Sequence, residues 1–100
     1  MSAADTQAPR VPGVTGWIGK LDDAYLVCGL FRVEVFRPVG DGTTIGWGLY
    51  TAGARLAPAG HDSNRSGESR RDAIIRVRIL AEEALRTHLT EALAALGGGR

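Results

Sequence analysis

The sequence holds a single cysteine, Cys28, and that scarcity removes a whole class of small proteins. No internal disulfide can form, so the chain is not a stapled secreted scaffold, and a reducing cytoplasm is its expected home. Lysine is as scarce: Lys20 stands alone, and the other eleven cationic residues are arginine. No apolar run approaches the ~20 residues of a membrane-spanning helix. The longest, Ala24 to Phe31, contains Gly29 and stops at Arg32. The first thirteen residues lack a basic segment followed by an apolar one, so they do not read as a secretory signal.

What is present suits one small folded domain. One hundred residues hold a single core, and 44% hydrophobic with 23% charged residues is ordinary globular usage. A net charge of +1 predicts no obligatory polyanion partner. Arginine in place of lysine, with 14 glycines and 14 alanines, is the usage of a high-GC genome, which suggests an accessory protein of a high-GC bacterium or its phage.

The organisation follows from local pattern. Residues 1–13 carry Pro9, Pro12 and polar residues without apolar periodicity, and they are expected to form a disordered tail. Val14 to Leu21 mixes Val14, Trp17 and Ile18 with glycine, as a short strand does. Asp22-Asp23 makes a turn, and Ala24 to Arg37 is expected as one long strand closed by Pro38. Alternation would put Tyr25, Val27, Phe31, Val33 and Val35 on one side, with Leu26, Cys28, Leu30, Arg32, Glu34 and Phe36 on the other. Gly40-Asp41-Gly42 is a hairpin turn, Thr43 to Ala52 a third strand, and Ala54 to Ala57 a short fourth that Pro58 confines to an edge. Ala59 to Gly67 is loop chemistry.

Ser69-x-x-Asp72 opens the last element, with Ser66 as the competing cap. Apolar residues at Ile74, Val77, Ala81, Leu85, Leu89, Leu93 and Leu96 recur at helical spacing, and Gly97 to Gly99 ends the pattern. Asp72 with Arg76 and Glu82 with Arg86 are four-residue ion pairs in the favoured order. The expected fold is α+β, an antiparallel meander of three to four strands against one long C-terminal helix. Residues 14–97 form the domain and 98–100 a flexible end.

Chemistry is thin. Asp62, Asn64, Ser66 and Gly67 echo a calcium loop, but position twelve is Ala73 instead of a bidentate glutamate, so no metal is expected. Cys28 lies in an apolar strand far from His61-Asp62, and His88 sits on the apolar helix face, so no nucleophilic constellation forms. No glycine-rich phosphate cradle occurs. Neither an enzyme, nor a cofactor, nor a small-molecule substrate is expected. Trp47, between Gly46 and Gly48, reads as core.

Two surfaces draw interest. Arg65, Arg70, Arg71, Arg76 and Arg78 crowd around the helix start, where an anion would offset cations facing a positive dipole end, and the first four are the candidate anion contacts. A sheet backed by one C-terminal helix resembles in outline the amino-terminal DNA-binding domains of phage integrases and a sheet-reading DNA-binding domain of plants. In that resemblance Arg32, Arg37 and Arg55 would be the base readers. The second surface is the helix end. Strand three, about ten residues, reaches ~33 Å; a helix from Ser69 to Leu96 reaches ~42 Å and so overhangs it. Leu85, Leu89, Leu93 and Leu96 form one stripe there, fit to meet a second copy or another protein. The expected function is a protein-binding or self-associating module, with a nucleic-acid-binding regulator as the alternative.

Overall fold

The computed structural model describes residues 10–38 and 42–98. Five strands form one antiparallel sheet in chain order, β1 (Ile18–Lys20), β2 (Asp23–Cys28), β3 (Phe31–Phe36), β4 (Thr44–Thr51) and β5 (Ala54–Ser63). One helix, α1 (Arg70–Gly98), crosses a single face of that sheet. The fold is therefore α+β, a meander packed on one long C-terminal helix, with five strands where three to four were expected.

The extra strands have local causes. The run expected as one strand is two, joined at Gly29-Leu30 with Cys28 opposite Phe31. Gly29 has φ +60°, the left-handed geometry that a two-residue hairpin demands at its first central position. The split changes which residues share a face. Leu26 and Cys28 pair with Val33 and Phe31 on the helix side, whereas Tyr25 and Val27 join Arg32 and Glu34 on the open side. The stretch expected as a loop is also partly strand, because β5 continues to Ser63. Its register steps from Leu49–Leu56 to Gly48–Ala59, a bulge that passes over Ala57 and Pro58 and spares the ladder the donor that proline lacks. Of the segment expected as the first strand, only Ile18–Lys20 pairs; Val14 lies in a turn, its amide donating to the Val11 carbonyl at 3.0 Å. The Gly40-Asp41 turn and residues 1–9 of the expected tail lie outside the described residues.

The helix starts where its cap says. Ser69 Oγ accepts the Asp72 amide at 3.1 Å, which satisfies one of the orphan donors of the first turn. The helix continues through Gly97 to Gly98, into the glycines expected to end it and into the first residue of the expected flexible end, of which residues 99–100 lie outside the described residues. Val33, Val35, Ile45 and Leu49 from the sheet meet Ala73, Ile74, Val77, Ala81 and Leu85 from the helix, all buried. Trp17 and Trp47 pack against both halves of this core, so Trp47 is a core residue as expected. Among the described residues no helix is long and apolar enough to cross a membrane.

Candidate docking surface

Length mismatch builds the surface. Strand β4, eight residues at ~3.3 Å each, spans roughly 26 Å, while the 29-residue helix at ~1.5 Å spans roughly 44 Å, nearly the 46 Å longest extent of the molecule. Its covered part ends near His88, whose ring meets Phe31 edge-on at 5.5 Å. From Thr90 to Leu96 every residue is exposed. The leucine stripe is thus divided: Leu85 is buried in the core, Leu89 half-buried, and Leu93 and Leu96 are 70% and 81% exposed.

Beside the last covered turn lies an open cleft of about 550 Å³, with Leu26, Cys28, Leu85 and Leu89 as apolar lining and Arg10, Glu82, Arg86 and Thr90 as polar lining. The cleft exists because β1 pairs only with Asp23 to Tyr25, so Leu26 to Cys28 have no neighbouring strand on that side among the described residues. Cys28 is exposed there, whereas burial in an apolar strand was expected.

The near wall is set by the N-terminal segment. Expected within a loose tail, Arg10 to Gly13 are instead held on the helix by Glu82. This buried carboxylate accepts from Arg10, from the Gly13 amide at 2.7 Å and from Trp17 Nε1 at 2.7 Å. A side chain at Gly13 would sit 2.7 Å from Ile79 Cγ1 and 2.9 Å from the Ile75 carbonyl oxygen, so only glycine lets the chain come this close. Burial alone would push the Glu82 carboxyl up; Arg10, Trp17 and Gly13 together outweigh it and hold the group below its ordinary value. Glu82 therefore serves Arg10 instead of its expected helix partner Arg86. Over the ring of Trp17, Arg78 stacks 5.0 Å from the ring centre and donates to the Lys20 and Leu21 carbonyls at 3.1 and 2.7 Å. Burial and neighbouring Arg71 lower its affinity for its proton, against the pull of Glu82.

The four arginines at the helix start have different fates. Arg76 donates to Asp62 at 2.7 Å, to both Glu68 oxygens at 2.9 and 3.0 Å and to the Ser63 carbonyl at 2.8 Å, binding β5 and the loop to the helix instead of pairing with Asp72. The Arg76 hydrogen bonds, with the Arg65 amide, pull the Glu68 carboxyl down to about 2. Arg70 donates to the Thr43 carbonyl at 2.7 Å and to Asn64 at 3.1 Å. Arg65 and Arg71 are exposed. Asp62 of the calcium-like loop is thus an arginine acceptor, and among the described residues no three of His, Cys, Asp and Glu gather as metal ligands would.

The open sheet face carries Arg32 and Arg55, whereas Arg37, expected on a strand, lies just past the end of β3. Arg32 lies between Tyr25 and Tyr50, 5.9 and 5.7 Å from their ring centres, and pairs with Glu34 at 2.7 Å. Arg55 stands opposite Tyr50 on β5, and Arg37 pairs with Asp22 at 3.2 Å. Sequence reading places Arg78 with the helix-start arginines, Trp17 among core aromatics and Glu82 with Arg86, and does not join Trp17 and Glu82 to Arg10 and Gly13. A glutamate on the apolar stripe, one turn before Leu85 and Arg86, was the available signal for Glu82. Comparison with protein families, curated proteins and solved structures finds no match to this chain.

Proposed function

We propose that the protein is a non-enzymatic association module that docks a protein chain, a second copy of itself foremost, on the free end of its helix. One observation carries the reading: Leu93 and Leu96 stand almost fully exposed on the stripe whose earlier members close the core and line the cleft. Each leucine removed from water contributes ~1.5–3 kcal/mol, so a few together offset much of the cost of association. An exposed single cysteine suits a reducing cytoplasm, and the composition suits an accessory protein of a bacterium or its phage.

Sedimentation of the wild type over micromolar to near-millimolar concentration tests the reading. The expected result is a reversible dimer that Leu93→Glu with Leu96→Glu converts to a monomer of unchanged circular dichroism. A wild type that keeps one chain's mass throughout would overturn it. The nucleic-acid alternative draws on Arg32 and Arg55 beside Tyr25 and Tyr50 on the open face, and on exposed Arg65 and Arg71. It requires affinity for nucleic acid that falls steeply with salt; no binding at low salt would remove it.

A further inference from the structure

We infer that what fills the cleft is the helix end of a second copy, two chains exchanging Leu93 and Leu96 about a twofold axis. The inference rests on the association reading above and adds its geometry. Cleft and tail lie on one helix stripe, with Leu96 seven residues, roughly 10 Å, beyond Leu89. Two such helices laid antiparallel bring each tail to the other's cleft at once, the self-complementary contact of a twofold dimer. A single chain cannot satisfy itself this way, because a straight helix carries its own tail away from its own cleft.

Charge agrees with this placement. Of the charged groups lining the cleft, Arg10 is paired with Glu82, which leaves the Arg86 cation, while the helix from Ala92 to Gly98 carries no charged side chain and no basic residue in its last turn. The helix end therefore keeps the partial negative charge of its terminal carbonyls, and the exchange brings that charge to Arg86 of the other copy. Leu26, Leu85 and Leu89 supply the apolar walls for the incoming leucines.

Cys28 makes the geometry testable, since it lines the cleft and is the chain's only cysteine. A disulfide closed within one chain would leave the mass of a single chain, so only a bond between copies gives a species of two. Leu96→Cys treated with diamide as oxidant should give a covalent species of two chains on a non-reducing gel, through Cys28 of one copy and position 96 of the other. The same variant with Cys28→Ala should give none, and wild type should stay uncrosslinked. Crosslinking that survives Cys28→Ala would show tail meeting tail and overturn the exchange while leaving self-association standing. Ready crosslinking of wild type would place the two clefts together and overturn it equally. Chains that remain monomeric by sedimentation would overturn the exchange and self-association alike.

Discussion

Glu82 joins three pieces of chain through one carboxylate. Glu82→Ala strands the Gly13 amide and the Trp17 indole, and each unpartnered buried donor costs about 1–3 kcal/mol. A loss of roughly 2–4 kcal/mol should lower the thermal midpoint by at least ~8 °C; an unchanged midpoint would show that the segment contributes nothing. Gly13→Ala should act at the same junction from the other side. Its φ is +76° and the added carbon meets Ile79 and the Ile75 carbonyl, so a cost of about 2 kcal/mol is expected from calorimetry.

At the scale of elements, the helix is held differently at its two ends. Its start is tied to β5 through Arg76, Asp62 and Glu68, an ionic clamp with a definite pH signature. The Glu68 carboxyl falls from its ordinary 4.5 to about 2 on folding. A depressed folded value means that the contribution is complete above the unfolded value and lost as pH falls through the folded one. Melts between pH 5 and pH 2 should thus show the wild type losing stability across that window. Glu68→Gln should lose less, and parallel curves would refute the assignment. Toward its other end Leu93 and Leu96 are 70% and 81% exposed, so substitutions there should leave the isolated fold intact.

At the scale of the whole molecule, stability and association become one quantity. If two copies hold each other's helix ends, dissociation accompanies unfolding and the midpoint must rise with protein concentration. Scanning calorimetry across a hundredfold concentration range should show that rise in wild type. Leu93→Glu with Leu96→Glu should abolish it without altering the core, whose buried helix contacts end at Leu85. A midpoint independent of concentration in both proteins would count against association.

The helix was legible because its period, its Ser69 cap and its leucine stripe are all local properties of one stretch. So was the overhang, because length arithmetic needs no contacts. The four-residue ion pairs were legible only as possibilities, and the fold gave Glu82 to Arg10 and Arg76 to Asp62 and Glu68. A flexible side chain takes the partner that burial and hydrogen bonding favour, and residues 72 and 14 positions away, close in space, outcompete a helical neighbour. The strand count failed at Gly29 because both halves of the run are β-rich, and one backbone angle decides between a bend and a hairpin. The sequence by itself determined a helix longer than its sheet and an apolar stripe to its end. Only the tertiary structure decided where that stripe leaves the core, because this depends on where β2 and β3 turn back beneath it.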